Sequence, residues 1–323
     1  MLFRSRADRT FRFAAHHRGS DAELDALVRD VAAIVREEQA VFGELAPYDV
    51  GGYTFLADYL PWVDYDAMEH RNSTMMTSRR SIANGRDALL DTVAHEFFHS
   101  WNVGRIRPAS LEPFNLTDVN MSGELWLAGG FTNYYGSLAT VRSGVASFDA
   151  FVANLEDTIN AVVRSPARRV RSVVDVSRMA PFADAAVWND RTNFGNTYLS
   201  YYTWGEAIAS GLDLTLRARS GGRVTLDDFM RALWTTFGRP GGRVPGVVDR
   251  PYTLADVEAT LASVAGDAGF ARDFLTRFVN GHDVVDYAAL VQQAGLVLRP
   301  ASTRGFVGLS LQDTVEEIGR AHV

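Results

Sequence analysis

His95-Glu96-Phe97-Phe98-His99 lies inside residues 87–102, whose apolar spacing predicts a helix, so two imidazoles four positions apart share one helix face. Both rings can then reach a single metal ion, and the carboxylate of Glu96, beside the first histidine, points toward a metal-bound water. Hydrolysis by an activated water needs that arrangement. Zinc lowers the pKa of its bound water toward about 7 and polarises a carbonyl, while the carboxylate takes the proton and returns it to the leaving amine. Three fixed positions in five are a weak signal alone, and two surface histidines on a helix fit the pentapeptide equally well.

Outward from this helix the pattern is mostly helical. Ser20-Asp21-Ala22-Glu23 forms a capping box ahead of Leu24, Leu27, Val28, Val31, Ile34 and Val35, an amphipathic helix expected to end near Gly43. Residues 10–15 alternate weakly like a strand, and residues 53–60 have the aromatic enrichment of another. Residues 69–74 are too rich in hydrogen-bonding groups for a core and read as a loop or sheet edge. A second helix is expected over 124–139, after a polar turn at 115–123, with others over 148–163, 203–218, 226–237, 254–264, 271–279 and 287–293. The Gly/Pro/Arg cluster at 239–251 marks an exposed connection, and residues 305–312 resemble the first strand of a further domain. The fold class is α+β, mostly α.

Composition narrows the partners. The chain has 323 residues, 47% apolar and 22% charged, an ordinary balance for a soluble globular protein, and its net charge of -7 argues against a nucleic-acid footprint. No cysteine is present, so a metal must rest on His, Asp and Glu. No run of eighteen apolar residues suggests a membrane span. All the basic residues are Arg, a bias of high-GC bacterial coding that leaves periplasm and cytoplasm both open, and nothing indicates the oligomeric state. Residues 1–5 and 318–323 match translated sequencing adapter, so a fragment cut at both ends is expected.

His95-Glu-Phe-Phe-His-Ser-Trp-Asn-Val-Gly-Arg-Ile-Arg-Pro108, followed by Leu125-Trp-Leu-Ala-Gly-Gly-Phe-Thr-Asn-Tyr-Tyr135, resembles the glycyl aminopeptidase-like M61 metallopeptidases. The likeness extends to Met68-Glu69-His70-Arg71-Asn72-Ser73-Thr74 upstream and to Tyr201-Tyr202-Thr203-Trp204-Gly205 and residues 278–295 downstream, covering about residues 10–298. It implies a remnant of a β-rich domain at 1–20, a thermolysin-like zinc-peptidase catalytic domain at 21–165, a helical subdomain completing the active site at 166–298, and the start of a PDZ-like domain at 299–317. It further implies one zinc ion held by His95 and His99, Glu96 as general base, and removal of small N-terminal residues such as Gly or Ala from a peptide substrate with a free N-terminus. Glu69 would bind the substrate's α-ammonium, although Ala67 stands where the family has Gly. Tyr202 would stabilise the oxyanion, with Tyr134, Tyr135, Tyr198 and Tyr201 as aromatic competitors.

One position departs from this pattern. The family's third zinc ligand is a Glu that aligns with Gly129, and glycine has no side chain to coordinate with. Glu124 falls on a different helix face and Asp118 in a loop, so neither is expected to substitute. The resemblance therefore predicts an aminopeptidase with weakened or lost zinc, the alternative being a catalytically dead protein that still binds peptide N-termini.

Overall fold

Alternating burial along Thr10–His17 and Gly52–Tyr59 gives each segment one core-facing side, as a strand requires. The computed structural model describes residues 2–4, 9–184 and 191–299. Its sheet has five strands in the order β1 (Leu2–Arg4), β2 (Thr10–His17), β3 (Gly52–Tyr59), β5 (Ser73–Ser78), β4 (Asp66–His70). β2 and β5 flank β3 in parallel, whereas β1 and β4 are antiparallel edges. A parallel pair needs a crossover, and α1 (Asp21–Phe42) supplies it between β2 and β3. Ser20 and Glu23 close the capping box that starts α1, and Gly43, left-handed at φ 81°, ends it.

Residues 10–17 are part of this sheet. They pair with β3 along their whole length and send Phe11 and Phe13 into the core. Residues 1–286 form one compact unit. Residues 287–323 form a second unit, in which α11 spans Tyr287–Gln293. Apart from residue 299, the expected PDZ-like start and the tail at 318–323 lie outside the described residues.

The histidine helix is α2 (Ile82–Phe98), whose Ser81 hydroxyl accepts from the Asn84 N–H. Leu89, Leu90, Val93, Ala94, Phe97 and Phe98 face the core. Phe97 meets Phe11, Tyr53 and Phe55 of the sheet at ring separations of 5.2–5.7 Å, and Trp101 stacks on Phe42 of α1 at 4.6 Å. This aromatic layer fixes the height of α2 above the sheet.

The remaining helices are α3 (Phe131–Arg142), α4 (Phe148–Arg164), α5 (Val173–Ala183), α6 (Phe194–Thr197), α7 (Tyr201–Ser220), α8 (Leu226–Leu233), α9 (Leu254–Ala265) and α10 (Ala268–Phe274). A π-helical turn, Trp126–Gly130, leads into α3, in place of the uninterrupted α-helix expected there. α7 packs on that turn so closely that a Cβ on Gly130 would fall on the Gly205 backbone, and one on Gly205 on the Trp126 carbonyl. The helical cost of Gly130, about 1 kcal/mol relative to Ala, is offset by this approach, which no side chain permits. Among the described residues no helix is long and apolar enough to cross a membrane.

Candidate active site

The i, i+4 spacing on α2 brings His95 and His99 together as expected, with their Nε2 atoms 3.0 Å apart. His99 is buried and its Nδ1–H donates to the Asn102 carbonyl at 2.5 Å, which leaves Nε2 as the lone-pair nitrogen. Asn102 is itself fixed: its side-chain amide donates to the carbonyls of Leu127 and Ala128 and to the Thr132 hydroxyl, at 3.0–3.2 Å. A ring N–H of His95 donates to the side-chain oxygen of Asn133 on α3. Burial foremost, then its neighbour His99, holds the His95 imidazole well below the usual histidine range, so the ring is neutral at pH 7.

Glu96 is 4% exposed, and one of its oxygens lies 3.2 Å from the Thr74 hydroxyl. Burial, opposed by His99 and reinforced by Glu69, pushes its carboxyl up to about 7. Thr74 stands opposite Glu69 in the β4–β5 register. Strand parity therefore turns Ala67 and Glu69 to the side of β4 that faces α2, while Asp66, Met68 and His70 are exposed. Among the described residues the Glu69 carboxylate has no hydrogen-bond or ion-pair partner, although it acts electrostatically on both Glu96 and Tyr202. A chamber of about 400 Å³, lined by Ala67, His95, Glu96, Asn133 and Tyr202 among others, opens on one side of this group. A smaller one of about 230 Å³ lies on the other side, where Glu69 and His99 meet Val103, Leu111 and Phe114.

Tyr202, on the first turn of α7, reaches the site, its ring centroid 6.0 Å from that of His95. Burial chiefly, against a hydrogen bond from Tyr201, raises the phenol to about 12, so it stays a proton donor at neutral pH. Of its competitors, Tyr134, Tyr135 and Tyr198 are committed to Asp213, Asp227 and Asp184. Tyr201 stacks on Tyr202 at 4.3 Å.

The sequence profile of the M61 glycyl aminopeptidase family matches residues 88–208, from α2 into α7. Over that stretch, a little over a third of its length, the chain is similar to the M61 peptidases. A crystal structure of an aminopeptidase N family protein from Idiomarina loihiensis superposes on 93% of this chain with a TM-score of 0.77 and 25% identity. The chain spans about half, 49%, of the length of that protein. No curated protein matches it by sequence.

A catalytic zinc rests on three protein ligands. This chain offers two converging imidazoles and, at the position where the M61 pattern has its third ligand, Gly129. A Cβ there would stand 2.7 Å from Tyr202 Cε1 and 3.0 Å from Tyr201 Cε2, so the stacked tyrosines fill the space a ligand side chain would need. Glu124 is occupied by the Ser110 and Ser122 hydroxyls at 2.7 and 2.9 Å, and Asp118 caps its own exposed loop at the Val119 N–H. Among the described residues no three His, Asp or Glu side chains converge as a metal site. The residues present do not fit a three-ligand zinc.

Three contributors escaped the sequence reading. Thr74 lies in a quoted motif without a role, and Asn133 follows Gly129 by one helical turn. Glu206 on α7 is 8% exposed; it accepts from the Asn154 amide at 2.7 Å and is hydrogen-bonded by Thr158 and Asn133. A carboxylate amid the apolar residues of α7 was the available signal for the last.

Proposed function

We propose that this chain recognises the free N-terminus of a peptide at an M61 peptidase centre, and that Gly129 leaves it a poor zinc aminopeptidase. The observation that carries this reading is the Glu69 carboxylate, unpartnered among the described residues and facing α2 beside Glu96. An unpaired anion in a cleft attracts a cation, and a peptide's α-ammonium is the cation that distinguishes a chain end from an internal bond. With the amine at Glu69, the first side chain enters the smaller chamber near Val103 and Leu111, and the following residues enter the larger one past Ala67. Small residues, Gly or Ala, are the family expectation for the first position.

Glu96 is held by Thr74 with its carboxyl near 7, a value at which it can both take and return a proton at neutral pH. Tyr202 keeps its proton and can donate to a developing oxyanion. His95 and His99 supply two of the three ligands that the family's metal chemistry needs. The third ligand is missing, and the Tyr201 and Tyr202 rings stand in its space.

The test has two arms. Binding of glycyl-alanine and its N-acetyl form is measured by calorimetry on the parent chain and on Glu69→Gln. The free amine is expected to bind about tenfold tighter, as a charge-assisted hydrogen bond supports, and the preference should vanish in Glu69→Gln. Zinc content and turnover of glycyl and alanyl chromogenic amides are then compared between the parent and Gly129→Glu, which should gain both as its side chain displaces the Tyr201 and Tyr202 rings that now fill the space. Stoichiometric zinc and equal turnover in the parent would overturn the impairment, and equal binding of the acetylated peptide would overturn the role of Glu69.

A further inference from the structure

The cleft does not end at the chamber beside His95. A second cavity of about 570 Å³ adjoins it, and Tyr65, Asp91 and Thr92 line both. The second cavity runs back along α2 past Ala88 and Leu89, and Ser78, Arg79 and Arg80 form its remote end. The Tyr65 phenol, on an exposed side chain, lies 3.3 Å from the Thr92 hydroxyl at the boundary. Since Thr92 gives its own proton to the Ala88 carbonyl, Tyr65 is the donor. One hydrogen bond from an exposed side chain is a light partition, and the two cavities together make a single groove in the direction away from Glu69.

Charge is unevenly placed in that groove. Asp91 stands one helical turn before His95, at the near end. At the far end Arg79 is taken up by the Asp64 carboxylate and the Val63 carbonyl. Arg80 makes no hydrogen bond or ion pair through its guanidinium among the described residues, and its stem is nevertheless seated. A Cβ on Gly85 would stand 2.5 Å from Arg80 Cβ and 3.0 Å from its Cδ, so the aliphatic part of Arg80 lies against the bare backbone of α2. Gly85 costs the helix about 1 kcal/mol relative to Ala, and the position it gives Arg80 accounts for its place in the first turns of α2.

We propose that this groove binds the downstream residues of an oligopeptide and that Arg80 receives the peptide's terminal carboxylate. The proposal rests on the N-terminus reading above, which sets the direction of the chain. From His95 to Ser81 the helix rises about 20 Å, the span of about six extended residues. Tyr65 separates two ligand lengths: a dipeptide stays inside the first chamber, whereas a hexapeptide passes the Tyr65–Thr92 contact and reaches Arg80. Asp91 repels a carboxylate at the near end, which favours placing it at the far one.

The experiment uses binding, so that it does not depend on turnover. Glycyl-alanine, a glycyl-pentaalanine hexapeptide with a free carboxylate, the same peptide as its C-terminal amide, and the amide with Glu as its last residue are titrated at low salt. The proteins are the parent and Arg80→Gln. The parent is expected to prefer the free acid over the amide by about fivefold, the worth of one exposed ion pair, and Arg80→Gln should lose that preference while binding glycyl-alanine unchanged. Recovery of affinity by the Glu-ended amide would show that Arg80 reads a carboxylate from either source; its absence would restrict the site to the chain end. An acid-to-amide ratio that is the same in both proteins overturns the proposal. If glycyl-alanine binds through its free amine and the longer peptides gain nothing from Arg80, only the groove assignment falls. If no free-amine peptide binds the parent, the N-terminus reading falls first and takes this one with it.

Discussion

Replacing Glu206 by Gln should stabilise the chain in alkaline but not in acidic solution. Burial chiefly, with the charge of Asp91 adding to it and hydrogen bonds from Asn154, Thr158 and Asn133 opposing it, raises this carboxyl from 4.5 to about 7. Between those values the folded chain holds a proton that the unfolded chain has already released, so stability is full below about pH 4.5 and is lost as pH rises toward 7. Each pKa unit corresponds to about 1.4 kcal/mol, so at pH 8 the loss amounts to about 3 kcal/mol, and at pH 5 to less than about 1 kcal/mol. Gln keeps the shape and an oxygen for the Asn154 amide but has no proton to lose. Urea unfolding followed by circular dichroism, at pH 5 and at pH 8, measures the difference between variant and parent. That difference should widen by about 2–3 kcal/mol in favour of the Glu206→Gln variant as pH rises. A gap that stays constant across the two pH values would refute the argument, because it would mean that Glu206 ionises equally easily in the folded and unfolded chain.

Glu38 on α1 is fully buried, and among the described residues neither of its carboxylate oxygens has a hydrogen-bond partner. Burial holds its carboxyl well above the usual range, so Glu38→Met should raise stability at pH 8 by about 1–3 kcal/mol, read as a shift in the urea midpoint. Gly130→Ala should cost about 1–3 kcal/mol, because its methyl would land on the Gly205 backbone; thermal unfolding measures the loss, and an unchanged midpoint would disprove the contact.

What could be read in the sequence was what local rules govern. The capping box at Ser20, the end of α1 at Gly43 and the helical pairing of His95 with His99 depend on neighbours within one or two turns, and the structure has all three. The π-helical turns at Trp126–Gly130, Trp234–Gly238 and Leu275–Val279 read as plain helix, since apolar spacing over five residues does not separate the two. α5 is not legible, because Pro181 inside it hides the pattern. β4 and β5 carry polar residues whose pairing depends on register with each other and with β3, so only an edge or a loop was legible. In the site, the same limit applies. Gly129 stands out as a missing ligand, but the tyrosines that fill its place, and the path from Glu206 through Asn133 to His95, join segments remote in sequence.

The near-contact of Gly130 with Gly205 has a consequence for how such a site can change. The turn that would present a third ligand and the helix that presents Tyr202 meet backbone to backbone, with no side chain between them to absorb a shift. The two therefore move as one rigid part. A change on the ligand side is transmitted to the tyrosine, and exchanging either segment for that of another protein requires exchanging both.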